Sequence, residues 1–135
     1  WSTLYGFLAL EGDYTTVRGI TFYQHGETAG LGDRIVEDWF QDNFVGKKIF
    51  DENDVLTPVS VAKSKAPEGS AHQVDGISGA TLTCNGVTNL IAEELHRYFK
   101  WIDNQKKTLT LPAEQEESTS TEPAGEEDIS EGGAA

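Results

Sequence analysis

The spacing of apolar residues changes several times along this chain, and each change predicts an element. Leu4-Tyr5-Gly6-Phe7-Leu8-Ala9-Leu10 is a continuous apolar run of strand length and reads as a buried strand. Glu11-Gly12-Asp13-Tyr14 is a turn, and Thr15 to Tyr23 returns with partial alternation, so the chain opens on a hairpin. His25 to Gly32 carries three glycines and reads as a loop. Val36, Trp39, Phe40 and Phe44 then recur at helical spacing within Arg34–Phe44, which predicts an amphipathic helix with these side chains in the core and Gly46 placed to end it. Residues 47–50 and 58–63 read as strands joined by the acidic turn Asp51-Glu52-Asn53-Asp54, with Ala66–Ala71 a loop beyond them. From Thr83 to about Asn104, Val87, Leu90, Ile91, Leu95, Tyr98, Phe99 and Ile102 form one apolar stripe, with Trp101 off it. Gly86 in that helix costs about 1 kcal/mol against alanine, which points to tight packing or to a later helix start. Residues 108–111 read as a short strand or hydrophobic clip.

Composition adds a boundary. The formal charge of −13 divides into −8 from Pro112 onward, where there is no lysine or arginine, and −5 for residues 1–111. The expectation is one domain over 1–111 and an acidic tail over 112–135, disordered by composition. An acidic chain does not suit a polyanion, so no nucleic-acid partner is expected. Cys84 is the single cysteine, which excludes an internal disulfide; it reads as a small, half-buried helix residue. No run of 18 apolar residues is present. The chain begins at Trp1 in mid-pattern and contains no methionine, which reads as a fragment.

The chemistry concentrates in Asp75-Gly76-Ile77-Ser78-Gly79-Ala80-Thr81-Leu82-Thr83, a glycine-broken, hydroxyl-rich loop running into the longest helical pattern. Gly76 and Gly79 let another molecule approach the main chain, and the start of the following helix favours an anion such as a phosphate. The same residue types are also what an ordinary helix cap looks like. No lysine follows the glycines, so this is not a phosphate-binding P-loop. Gly76-Ile77-Ser78-Gly79-Ala80 misses the Gly-x-Ser-x-Gly elbow of a serine hydrolase at its last position, and His25, His72 and His96 show no partner pattern; Ser78 as a nucleophile is kept as a remote alternative. No metal ligand set is predicted.

Asp75, Ser78, Gly79, Ala80 and Thr81 match the Asp-x-x-Ser/Thr-Gly-Ala-Thr attachment motif, and the chain thereby resembles the covalent FMN-binding domain family. Within it the chain is similar to the C subunits of sodium-translocating NADH:quinone oxidoreductases, through Trp1–Tyr5, Gly26–Gly32, Val45–Lys48 and Val74–Val87. The G subunits of ferredoxin:NAD oxidoreductase complexes share the motif and are the nearest competitor. The resemblance implies an α+β fold, with a mixed, largely antiparallel sheet packed with helices. It implies FMN joined by a phosphoester to Thr81, transferred from FAD by a flavin transferase. It assigns Asp75, Gly76, Ser78, Gly79, Ala80, Leu82 and Thr83 to the attachment loop, with Asp75 read as a recognition or metal-positioning residue for the transferase. It assigns Glu27, Thr28, Leu31 and Gly32 to the face of the flavin. It further implies an electron carrier among the other subunits of a membrane-bound complex, on the periplasmic side of a bacterial inner membrane, with an N-terminal membrane helix outside this sequence. A flavin-bearing signalling or assembly module without turnover is the alternative from another class. Lys47, Lys48, Lys63 and Lys65 read as solvated strand edges.

Overall fold

The structure, a computed structural model, describes residues 3–109 of the 135; Trp1, Ser2, Thr110, Leu111 and the acidic segment 112–135 lie outside the described residues. The elements are β1 (Tyr5–Leu10), β2 (Val17–Gln24), a 3-10 helix (Gly32–Val36), α1 (Asp38–Asp42), β3 (Ser60–Val61), β4 (Gln73–Val74), α2 (Thr81–Arg97) and α3 (Phe99–Leu109). The α+β class holds.

β1 and β2 form the expected antiparallel hairpin, with Phe7 opposite Thr21 and Leu8 opposite Ile20. Its turn is fastened by Asp13, whose Oδ1 accepts the N–H groups of Thr15 and Thr16 at 2.9 and 2.8 Å. The expected burial of the 4–10 run is wrong. Phe7 is 67% exposed and packs on Tyr23, with ring centres 5.1 Å apart, because among the described residues β1 is bonded to β2 alone and leaves its other edge open.

The far side of β2 is covered by the chain after Gly46. Val17 N–H donates to Lys47 O (2.8 Å), Ile49 N–H to Thr15 O (2.9 Å) and Lys48 N–H to Ala71 O (2.8 Å). The predicted strands at 47–50 and 58–63 shrink to bridges (Thr16 with Lys48, Phe50 with Leu56) and to the two-residue β3. The acidic turn between them takes over the backbone, as Asp51 Oδ1 accepts the N–H groups of Asn53 and Val55, both at 2.9 Å. β3 pairs with β4 in parallel, and the ladder continues through Ala62 N–H to Val74 O (2.9 Å) and Gly76 N–H to Ser64 O (2.6 Å).

The helix expected over Arg34–Phe44 is interrupted. Glu37 adopts an extended backbone (φ −73°, ψ 144°), dividing the segment into the 3-10 helix and α1. The interruption resets the phase: Ile35, Phe40 and Phe44 are buried, while Val36 and Trp39 are exposed, contrary to the predicted stripe. Gly46 does end the segment, in the left-handed region at φ +87°. The long C-terminal helix begins at Thr81 rather than Thr83 and breaks at Tyr98 (φ −97°, ψ 7°), so Tyr98 and Phe99 leave the stripe for the surface. Gly86 has only Leu4 Cδ1 at 4.0 Å near its missing side chain, so neither tight packing nor a late start explains it. Thr108 and Leu109 complete α3 and are not a strand.

One core joins these pieces: Val17, Phe22, Ile35, Phe40, Phe44, Ile49, Val59, Val74, Ile77, Val87 and Ile91 pack in a single cluster. Each such side chain contributes on the order of 1.5–3 kcal/mol by leaving water. α2 is anchored in it by Val87, Ile91 and Leu95, which fixes where its N-terminus points. Among the described residues no helix is long and apolar enough to cross a membrane.

Candidate functional site

Two loops far apart in sequence meet at the start of α2. The first follows β2. His25 Nδ1 accepts the N–H of Glu27 at 3.1 Å, and Thr28 O receives the N–H groups of Leu31 (3.1 Å) and Asp33 (3.3 Å), curling the chain into the 3-10 helix. The second follows β4. Ala80 N–H donates to Ile77 O at 3.1 Å, and Gly79 sits at φ +78°, the third position of a turn that needs a left-handed residue there. Buried Ile77 fixes this turn from below, its N–H directed at Cys84 Sγ (3.4 Å) in the first turns of α2.

The loops approach so closely that side chains would separate them. A Cβ on Gly32 would lie 2.3 Å from Thr83 Oγ1 and 3.0 Å from Glu27 Cβ. One on Gly79 would lie 3.2 Å from Leu31 Cδ2. Thr83, 7% exposed, donates its hydroxyl to Glu27 Oε1 at 2.5 Å across the junction.

A cleft of about 310 Å³ opens there, lined by Glu27, Thr28, Leu31, Gly32, Gly79, Ala80, Thr81, Leu82 and Thr83. Nine of the predicted site residues are therefore brought together. Leu31 and Leu82 offer exposed apolar surface, one from each loop, and the Thr81 side chain is exposed at the cleft. The residue at the cap position, Ala80, cannot cap, and no side chain does so. The expectation of an ordinary Ser/Thr cap fails here. The N–H groups of the first turn thus keep their partial positive charge next to the Thr81 hydroxyl.

Asp75, Gly76 and Ser78 are not in this cleft. Asp75 accepts the N–H of Ala66 at 2.8 Å, lies 3.6 Å from Lys65 Nζ, and lines a separate polar cavity of about 410 Å³ with Lys47 and Glu68. Gly76 is pressed on its own chain, where a Cβ would fall 2.0 Å from Ala62 O. Ser78 is exposed. The three histidines are each engaged with backbone: His25 with Glu27 as above, and, away from the cleft, His72 Nδ1 at 2.8 Å from Lys48 O and His96 Nδ1 at 2.7 Å from Ala92 O. Of the lysines, Lys47 donates to Ser70 O and Lys48 to Thr16 Oγ1, both at 2.6 Å. Among the described residues no group of three or more His, Cys, Asp or Glu side chains could hold a metal ion.

Sequence reading missed three residues. Cys84 is fully buried, not half-buried, and receives the Ile77 N–H. Ile77 itself was a signal, an apolar residue inside a polar motif. Asp33 has a buried Oδ1 without a partner, and nothing in its sequence context marks it.

The arrangement fits FMN on its own terms. The uncapped helix start suits a phosphate, and the exposed apolar surface of Leu31 and Leu82 beside the Thr81 hydroxyl suits a flat ring. Residues 1–96 match the FMN-binding domain family. The chain is 54% identical over 87 residues to the C subunit of the Na(+)-translocating NADH-quinone reductase of Vibrio campbellii, covering 64% of this chain and 33% of that protein. It is 50% identical over 93 residues to the same subunit of Pseudomonas aeruginosa, covering 67% and 36%. Among solved structures it is similar to the C subunit from Parabacteroides distasonis, with a TM-score of 0.69 and 36% identity over 76% of this chain and 51% of that one. It is also similar to that of Shewanella oneidensis, with a TM-score of 0.66 and 32% identity over 79% and 50%. The chain thus spans about a third of the length of these curated relatives and half of these solved chains. The match over residues 1–96 covers most of the sequence and includes both loops of the cleft: this chain belongs to the FMN-binding domain family.

Proposed function

We propose that this chain carries FMN as a phosphoester of Thr81 and acts as the electron-carrying part of the C subunit in a Na(+)-translocating NADH:quinone reductase. The observation that carries the reading is the exposed Thr81 hydroxyl at the first, uncapped turn of α2, facing a cleft whose other wall is the Glu27–Gly32 loop. The names of the relatives support the assignment to this complex. Bound there, FMN supplies reversible one-electron transfer. The chain's own part is to hold and screen. The helix start contributes about 0.3–1 kcal/mol toward an anion beside Thr81. Leu31 and Leu82 would screen the ring from water, and Gly32 and Gly79 let the two loops close on each other to form the cleft. Thr81 is consumed as the point of attachment and takes no part in turnover. Partners on this reading are the other subunits of the complex and a flavin transferase. The domain would work on the periplasmic side of the inner membrane, held by an N-terminal helix. Covalency has a reason there, since a dissociable flavin lost outside the cytoplasm is not readily replaced.

The test is an intact-mass measurement after co-expression with a flavin transferase. The expected result is one added FMN phosphoryl unit, with fluorescence that stays on the chain after denaturation. An unmodified mass, or colour released by denaturant, would overturn the reading.

A further inference from the structure

Glu27 lines the cleft proposed for the flavin, yet its carboxylate is engaged with the protein itself. We infer that Glu27 and Thr83 form a clasp that assembles the cleft before FMN arrives, and that Glu27 is a positioning residue for attachment at Thr81. The inference rests on the proposed chemistry at Thr81.

The two residues are 56 positions apart and are joined by the 2.5 Å hydrogen bond from Thr83 Oγ1 to Glu27 Oε1. Gly32 covers the pair, with no space for even a methyl group over the threonine oxygen. Glu27 is held in turn through its own N–H, which donates to His25 Nδ1. Geometry then decides what this does for Thr81. Successive helical residues are turned by about 100°, so Thr81 and Thr83 point to nearly opposite sides of α2. Fastening Thr83 inward therefore sets the rotation of the first turn and sends the Thr81 hydroxyl outward into the cleft. An uncapped first turn frays unless something tertiary holds it, and the clasp supplies that hold. It also separates the two hydroxyls as acceptors, because that of Thr83 is buried and already donated.

In the attachment step the Thr81 oxygen attacks the FMN-side phosphorus of FAD. The oxygen–phosphorus bond forms, the bond between the two phosphates breaks, AMP leaves with its own phosphate, and the hydroxyl proton passes to solvent or a base of the transferase. No oxidation or reduction occurs. The clasp acts by keeping the attacking oxygen in place.

The test compares the full chain with Glu27→Ala, Glu27→Gln, Thr83→Val, Thr83→Ser and the Glu27→Ala/Thr83→Val double variant. Flavin incorporation is timed with FAD and a flavin transferase. In parallel, hydrogen exchange is read on the amides at the start of α2 without flavin. Loss of either partner is expected to slow incorporation about tenfold, the scale of one unmade buried hydrogen bond. Gln and Ser, which keep an acceptor and a donor, should recover most of the rate. The double variant should be no slower than either single one, since both remove the same interaction. Exchange in the first turn should quicken in Glu27→Ala and Thr83→Val and not in the conservative pair. Wild-type rates and exchange in both disruptive variants, or effects that multiply in the double variant, would overturn the clasp. Absence of incorporation in the wild type would overturn the chemistry at Thr81 instead, and the exchange result would still decide the clasp.

Discussion

Two apolar concavities among the described residues differ in what they gather, and the larger is the poorer in polar groups. Between the hairpin and the α2–α3 pair lies a groove of about 660 Å³ lined by Tyr5, Phe7, Tyr23, Leu90, Tyr98 and Trp101, among others. The cleft at the start of α2 has less than half that volume. The groove offers area with Glu94 as its one charged lining residue, whereas the cleft gathers an exposed hydroxyl and an open helix start from one loop and a carboxylate from the other. Convergent polar groups beside apolar faces are what a cofactor needs; area alone is what surfaces have in plenty.

The sharpest way to break that contrast is to remove single groups on either side. Thr81→Ala should abolish covalent flavin altogether, while Thr83→Ala should still be labelled at Thr81, more slowly; peptide mapping of both variants checks this. Gly32→Ala should destabilise the chain by roughly 1–3 kcal/mol in urea titration, because the added methyl group has no room over Thr83. Gly86→Ala, in the same helix region but with space around it, should instead stabilise by about 0.5–1 kcal/mol. In the groove, Phe7→Ser should move stability by no more than about 0.5 kcal/mol, since the ring is mostly in water already.

Another small effect concerns pH. Burial raises the Asp13 carboxyl, but the hydrogen bonds from Thr16 and Thr15, with Lys48 nearby, outweigh it and lower the pKa from 3.8 to about 2. A carboxylate with a depressed folded pKa stabilises above its unfolded value and loses that contribution as pH falls from about 4 toward 2. Asp13 is exposed, so screening leaves about 1 kcal/mol or less. Asp13→Asn should lower the melting temperature slightly at neutral pH, where that contribution is fully present, and flatten its fall between about pH 4 and 2.

How much of this was legible in the sequence varies by element for physical reasons. The hairpin was, because alternation and a turn are local. The exposure of Phe7 and Tyr5 was not, because an apolar run does not say whether anything covers it. The segment after Gly32 was misread because one extended residue, Glu37, shifts the helical phase and exchanges Ile35 for Val36 in the core. The same holds at Tyr98, where one break puts two aromatic rings on the surface. β3 and β4 are two residues each and pair across a dozen positions, so no periodicity announces them. At the site, the motif and the glycine loop were each visible as strings. Their meeting was not, since Glu27 and Thr83 are brought together only by the packing of α2 beneath them.

Gly76 carries a consequence of its own. The parallel ladder ends on the contact between this residue and the 62–64 segment, where a methyl group would collide with the carbonyl of Ala62. Any larger residue there would press the last rung apart and shift the loop that leads from β4 to Thr81. The demand for glycine at position 76 thus comes from the polypeptide's own main chain rather than from a guest molecule.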